Sequence, residues 1–204
     1  MITYIFGASD ILDYSYLKKL DFTGCFIICA DGGVKHAKRL NLVPDVIIGD
    51  FDSSKILEYK NKIVYPKEKD DTDLALAINY ASENGFCKCV GIGCLGNRLD
   101  HTFANIFLIK YAADKNVDLE LIDDKTRVFL VLDKKKIEKE DFKYVSIFSV
   151  SPKCEGVTLK GFKYTLNNHT LSCDYPLGIS NVLLENTGEI SIKSGALVVM
   201  AVKE

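Results

Sequence analysis

Two patterns of apolar and polar positions divide the chain. Up to about residue 122, short unbroken apolar runs alternate with stretches of helical period. ITYIFGA (2–8), FIICA (26–30), VIIG (46–49), KIVYP (62–66) and CVGIG (89–93) have the length of strands and little polar interruption. LALAINYASENG (74–85) puts Leu74, Ala77, Ile78 and Ala81 on one helical face, with Gly85 as its stop. LDHTFANIFLIKYAADKN (99–116) sets Leu99, Phe103, Ile106 and Phe107 in an apolar stripe that predicts the buried face, and Lys110 snorkels at its end. Continuous apolar strands alternating with helices predict a parallel sheet covered on both faces, a three-layer α/β domain over residues 1–122.

From about residue 123 no helical period persists. TRVFLVL, YVSIFSV, GVTLKG, YTLNN, EISIKSG and ALVVMAV are short and β-branched, and Asn167-Asn168, Thr187-Gly188 and Ser194-Gly195 read as turns between them. Close strand spacing of this kind predicts an antiparallel β-sandwich over residues 123–204, with the change of pattern near Asp123-Asp124. Lys134-Lys135-Lys136 reads as the solvated face of a hairpin.

Composition narrows the picture only slightly. A chain of 204 residues, 48% hydrophobic, is long enough to bury a real core in one large or two small domains. A net charge of -2 gives no electrostatic argument for a nucleic-acid partner. No apolar stretch has the length of a bilayer span, and MITYIFGASD, without a basic n-region or cleavage pattern, reads as a first strand. The seven cysteines lie mostly within strand-like runs, which is reduced, cytoplasmic usage. Cys87 and Cys89 are spaced C-x-C, with only His36, His101 and His169 as imidazole partners, which argues against zinc.

Chemistry enters through the residues just past the end of each strand. FIICA leads into Asp31-Gly32-Gly33, VIIG into Asp50-Phe51-Asp52-Ser53, KIVYP into KEKDDTD ending at Asp73, and CVGIG into CLGNRLDH with Arg98 and Asp100. Singly, each is equally a turn or a helix cap, because turns and caps use the same residue types. Together they bring acids to one edge of the sheet, the carboxyl edge where open α/β sheets bind ligands. Carboxylates held close repel and raise one another's pKa, so such a set calls for cations or protons. Magnesium is the expected cation, since it prefers oxygen ligands and bridges one or two carboxylates to phosphate oxygens. There is no G-x-x-x-x-G-K-[ST] loop, and Gly91, Gly93 and Gly96 are read as near the G-x-G-x-x-G dinucleotide pattern but off its spacing. Phosphates are assigned to the metal and Arg98, with help from Gly32, Gly33 and Gly96.

ADGG (30–33), GDFDS (49–53), KDDTD (69–73) and LGNRLDH (95–101), in that order, resemble the thiamine pyrophosphokinase family over most of the chain. GFKYTL (161–166) is similar to the family's G-L-K-x-x-L strand, and GISN (178–181) to its S-N element. The resemblance implies transfer of a pyrophosphoryl group from ATP to the hydroxyethyl group of thiamine, with magnesium. It also implies a homodimer whose active site forms where the α/β domain of one subunit meets the sandwich of the other. Carried over by position, Asp50, Asp52 and Asp73 are metal ligands, with Asp31 and Asp100 nearby. Asp50, Asp52, Asp73, Asp100 and Arg98 form the expected catalytic set. Asp31, Gly32, Lys69, Asp70 and Thr72 fall on the nucleotide side, and Tyr164, Ser180 and Asn181 on the thiamine side. Tyr164 stands where animal members carry tryptophan, Asn97 where many relatives carry glycine, and Val182 where many bacterial relatives carry an acid.

The same acids admit two other readings. One is a thiamine- or nucleotide-sensing module that binds without turnover, against which so many mutually repelling carboxylates argue. The other is a magnesium-dependent phosphohydrolase with water as the nucleophile, against which the sandwich and the S-N element argue. For the transfer reaction itself, Asp73 and Asp100 both remain candidate proton acceptors.

Overall fold

The computed structural model describes residues 1–50, 61–66, 71–96 and 98–204. The chain divides into two compact units, Met1–Asp124 and Lys125–Glu204.

The first unit contains strands β1 (Thr3–Phe6), β2 (Phe26–Ala30), β3 (Val46–Gly49), β4 (Lys62–Val64), β5 (Lys88–Ile92) and β6 (Asp118–Ile122), with helices α1 (Val34–Arg39), α2 (Asp73–Glu83) and α3 (Leu99–Asp114). The strands pair in parallel in the order β4-β3-β2-β1-β5-β6. Alternation splits the central strands between two cores. Tyr4, Phe6, Ile27, Cys29 and Ile47 join one cluster with Val34 and Ala37 of α1. Ile5, Ile28 and Ile48, each 0% exposed, point to the other face. Here α2 packs against β2, β3 and α3. The predicted three layers are therefore present. α1 and β6 complete the alternation, although neither stands out as an apolar run in the sequence. Gly85, at φ +74°, supplies the expected stop beyond α2.

The orientation of α3 is a correction. Its buried residues are Ile109 and Ala112. Leu99, Phe103 and Phe107 are 78%, 61% and 48% exposed. The helix is apolar on nearly every side, so period alone does not choose which face meets β6.

The second unit is a sandwich of two antiparallel sheets. One runs β7-β13-β9, from β7 (Thr126–Val131), β9 (Tyr144–Ser149) and β13 (Leu197–Val202). The other runs β11-β10-β12-β8, from β8 (Lys134–Glu138), β10 (Lys153–Lys160), β11 (Leu166–Ser172) and β12 (Thr187–Ser191). Phe129, Ile147 and Val199 from the first meet Ile137, Val157 and Ile190 from the second in one core. The three-lysine run is a full strand: Lys134–Glu138 buries Ile137 and pairs along β12. Asn167-Asn168 and Thr187-Gly188 are not turns but lie inside β11 and β12. Asn168 sits at φ +51°, within an irregular stretch of the β10–β11 register, so a bulge rather than a turn uses the asparagine. Ser194-Gly195 is a turn, with Gly195 at φ +90°.

Candidate active site at the carboxyl edge of the sheet

Chain order and sheet order diverge once in the first unit. The chain steps outward from β1 through β2 and β3 to β4, then returns to lay β5 on the opposite side of β1. β1 and β5 therefore flank a topological switch point, the place where ligands enter open parallel sheets. Gly7 N donates to Ile92 O at 2.8 Å and Ser9 N to Gly93 O at 2.9 Å, so the two loops run together past the strand ends.

Glycines allow this crowding. A Cβ on Gly33 would lie 1.9 Å from Phe6 O, and one on Gly7 would lie 2.6 Å from Gly93 O. The turn after β2 is therefore pressed onto the end of β1, and β1 onto the loop after β5. Asp31 opens that turn at φ +42°, a left-handed conformation uncommon for a residue with a side chain. Its carboxylate lies against the end of β3, since a Cβ on Gly49 would be 3.2 Å from Asp31 Oδ1. Asp31 is thus brought beside Gly49-Asp50. Thr72 caps α2, accepting from Ala75 N at 3.3 Å, and Asp73 fills the first turn.

The loop after β5 is clasped by α3. Thr102 Oγ1 accepts from Gly96 N and donates to Gly96 O, both at 3.1 Å, and Asn105 Nδ2 donates to Cys94 O at 2.7 Å. Residues 91–96 do carry G-x-G-x-x-G spacing, which corrects the dismissal of that run. Its geometry differs from a dinucleotide fingerprint, however. Gly91 is still within β5, and α3 starts only at Leu99, so the last glycine does not open the helix. Gly93 and Gly96 instead take φ +66° and +153° in a folded turn.

Arg98 and Asp100 form a two-pronged pair, Nε to Oδ1 at 3.2 Å and the terminal nitrogen to Oδ2 at 2.6 Å. Hydrogen bonding from the Arg98 guanidinium is the main influence holding the Asp100 carboxyl down at about 2. Asp100 is therefore a weak proton acceptor, and Arg98 approaches an anion only by sharing or exchanging that partner. Asp52, Lys69 and Asp70 lie outside the described residues, so the expected ligand set contributes Asp50 and Asp73. Among the described residues no group of three or more His, Cys, Asp or Glu side chains is gathered to hold a metal.

In the sandwich, a cleft of about 230 Å³ is lined by Leu159, Tyr164, Leu166, Leu177, Ile179 and Asn181. Tyr164 is 61% exposed there, and Lys163 Nζ lies 5.4 Å from its ring centroid. Asn181, 6% exposed, binds the backbone of Tyr164 with both ends of its amide. Oδ1 accepts from Tyr164 N at 3.0 Å, and Nδ2 donates to Tyr164 O at 2.7 Å. Oδ1 also accepts from Val182 N at 2.9 Å. Asn181 thus fixes the cleft's aromatic residue rather than offering a free amide. Ser180 is held at φ +55°, with its N–H on Ser146 Oγ at 3.0 Å. The sequence motif marked Asn181, but nothing in it revealed this two-ended bond. Thr102 and Asn105 were missed altogether; their only signal is their position one turn apart just after a glycine turn.

Glycine turns with acidic residues after the strand ends along one edge of a parallel sheet, followed by a separate antiparallel sandwich with its own cleft, define the class: a two-unit α/β and β protein. The particular family follows from comparison. Residues 17–121 match the thiamin pyrophosphokinase catalytic domain, and residues 134–197 match the thiamin pyrophosphokinase vitamin B1 binding domain. Thiamine pyrophosphokinase of Bacillus subtilis (strain 168) is 33% identical over 183 residues, 85% of each chain. A crystal structure of the Bacillus subtilis thiamine pyrophosphokinase superposes with a TM-score of 0.88 at 28% identity, covering 100% of both chains. The thiamin pyrophosphokinase of Candida albicans, at 16% identity, shares the fold with a TM-score of 0.79 over 99% of this chain and 89% of its own. The chain belongs to the thiamine pyrophosphokinase family.

Proposed function

We propose that the protein transfers the pyrophosphoryl group of ATP to the hydroxyethyl oxygen of thiamine, giving thiamine diphosphate and AMP. The observation that carries this reading is the match of both units, in order, to the two domains of one family. The hydroxyl oxygen attacks the β-phosphorus, the bond from that phosphorus to the α–β bridging oxygen breaks, AMP departs with that oxygen, and the hydroxyl proton is lost. A transfer of this kind asks the protein chiefly for alignment and charge neutralisation.

The donors at the carboxyl edge are hard carboxylate oxygens, with Asp31 set against Gly49 beside Asp50. That chemistry fits magnesium, which needs only one or two protein carboxylates and completes its shell with phosphate oxygens and water. Asp50, Asp52 and Asp73 would hold it, and bound magnesium would neutralise non-bridging phosphate oxygens. Asp31, Gly32, Lys69, Asp70 and Thr72 would line the nucleotide. Arg98, oriented by Asp100, would fork onto phosphate. Tyr164 would offer an aromatic face to thiamine, with Ser180 and Asn181 shaping its surroundings. We further propose a homodimer, with each active site completed by the partner subunit's sandwich. Apolar surface left wet on α3 at Leu99, Phe103 and Phe107, and on the sandwich at Tyr164, Ile179 and Leu184, supports an association of this kind. No helix among the described residues is long and apolar enough to cross a membrane. The seven free cysteines support work in the reducing cytoplasm.

The test is incubation with ATP, magnesium and thiamine, followed by separation of products. AMP and thiamine diphosphate in equal amounts are expected. ADP with thiamine monophosphate would overturn the transfer chemistry. Phosphate release without thiamine would favour a hydrolase, and tight thiamine binding without turnover a sensor.

A further inference from the structure

His36 is one of four buried polar residues among the described ones, at 1% exposure. It reaches from α1 to both loops of the switch point. Its Nε2 lies 2.8 Å from Ser9 O in the loop after β1. A carbonyl only accepts, so Nε2 carries the proton and Nδ1 is the bare nitrogen. Nδ1 accordingly accepts from Tyr14 O–H, at 2.5 Å. Arg39 lies over the Tyr14 ring, 4.2 Å from its centroid, which fixes the tyrosine in turn. Burial, the largest influence on the imidazole, pushes its pKa down, in keeping with the neutral ring that this pattern requires.

The other edge of the ring meets the second loop. A Cβ on Gly93 would fall 3.1 Å from both Cδ2 and Nε2 of His36. Beyond this contact the loops touch again at Gly96, where a Cβ would lie 3.2 Å from Ser9 Cβ. Thr102 and Asn105 hold the Gly93–Gly96 turn from α3, while His36 holds it, and Ser9 with it, from α1. An imidazole that only filled core volume would need none of these partners. Here both nitrogens and one ring edge are committed to loop backbone or to the group that orients the ring.

We propose that His36 is a positioning residue for ATP: it fixes Ser9 and the Gly93–Gly96 turn, adjoining backbone segments at the sheet edge read as the nucleotide site, in the register that the nucleotide meets. Tyr14 orients it by fixing the tautomer. The inference rests on the reading of this edge as the nucleotide site. It adds a role for a side chain that touches no substrate and acts only through backbone.

The experiment compares the full-length wild type with His36→Leu, His36→Gln and Tyr14→Phe. Leucine keeps bulk without an N–H, whereas glutamine restores an N–H toward Ser9 O. One hydrogen bond removed from a part-buried carbonyl corresponds to up to about a tenfold change, so His36→Leu is expected to raise KM for ATP by up to about tenfold, with kcat and KM for thiamine within about twofold. His36→Gln is expected to recover KM for ATP to within about threefold of wild type, and Tyr14→Phe to raise it about threefold. A wild-type KM for ATP in His36→Leu, equal impairment of the Leu and Gln variants, or equal losses for ATP and thiamine would each overturn the proposal. If His36→Leu does not fold, Tyr14→Phe decides, and an unchanged KM for ATP in that variant rejects it. A wild type that makes no thiamine diphosphate would count against the transfer reaction alone. Calorimetric titration with ATP and magnesium then reads the same ranking of affinities, and a flat ranking overturns the role of His36.

Discussion

The two units fix their candidate binding residues by opposite means. At the carboxyl edge of the α/β unit, the loops are placed by glycines that let backbone pass against backbone, as at Gly33 on Phe6 O and Gly7 on Gly93 O. In the sandwich, the cleft is placed by a side chain acting in place of a strand: Asn181 supplies the donor and the acceptor that a neighbouring backbone would otherwise give Tyr164. Close backbone approach tolerates no added atom, whereas a side-chain clamp tolerates a change of shape but not a loss of hydrogen bonds. The α/β edge is thus sensitive to volume, and the sandwich cleft to polarity.

The sharpest break of that comparison is Gly33→Ala. Its Cβ would stand 1.9 Å from a backbone oxygen, which no rotamer relieves. Overpacking against backbone predicts a loss of about 3 kcal/mol or more in the first unit, measured by denaturant unfolding of the whole chain. Gly24→Ala is the control. Gly24 has φ +68° but nothing within 4 Å of the added atom, so only the left-handed penalty of about 1 kcal/mol is expected. Equal losses at both positions would show that backbone conformation, not close approach, sets the cost.

Asp50→Asn changes charge without volume, so the edge is expected to fold normally and lose turnover, by at least about a hundredfold if the carboxylate neutralises phosphate through a cation. Near-wild-type turnover at saturating magnesium would remove Asp50 from the site. In the sandwich, Asn181→Leu keeps the volume and strips the clamp. Orphaning both backbone groups of Tyr164 is expected to cost about 2 kcal/mol and to raise KM for thiamine while leaving KM for ATP unchanged. A change in KM for ATP instead would show that Asn181 does not act on the thiamine side alone.

Much of this was legible in the sequence, for physical reasons that differ by feature. Unbroken apolar runs such as FIICA and VIIG announce strands buried on both faces, and the residues just after them necessarily fall at one sheet edge. That is why Asp31, Asp50 and Asp73 could be placed from order alone. The face of α3 could not, because Leu99, Phe103 and Phe107 offer the same period as Ile109 and Ala112, and packing on β6 made the choice. The lysine run does lie on a largely exposed strand, β8, although its partner there is β12, distant in sequence, while the asparagines of β11 were misread because Asn-Asn in a bulge copies the composition of a turn. The His36 network joins segments 22 and 27 residues apart, through one tautomer and one glycine contact. No spacing rule in a single sequence marks such a set.

The smallest expected effect compares exposed carboxylates rather than backbone. Asp100 meets one guanidinium fork, while Glu189 in the sandwich meets Lys134 Nζ at 2.6 Å and Lys160 Nζ at 3.9 Å. Hydrogen bonding to the cation is the largest influence lowering both, from Arg98 for Asp100 and from Lys134 for Glu189. A folded-state pKa below the unfolded one contributes stability above the unfolded value and loses it as pH falls through the folded value. For Asp100 that window runs from the ordinary 3.8 down to about 2. Screening by water keeps the effect on unfolding small for such exposed pairs, so the readout is the carboxyl itself. NMR titration of side-chain carboxyl carbons is expected to place Asp100 near 2 and, in Arg98→Ala, to return it toward 3.8 while Glu189 stays in place. A titration of Asp100 that ignores the loss of Arg98 would separate the pair, and with it the assignment of Asp100 as the group that orients the arginine.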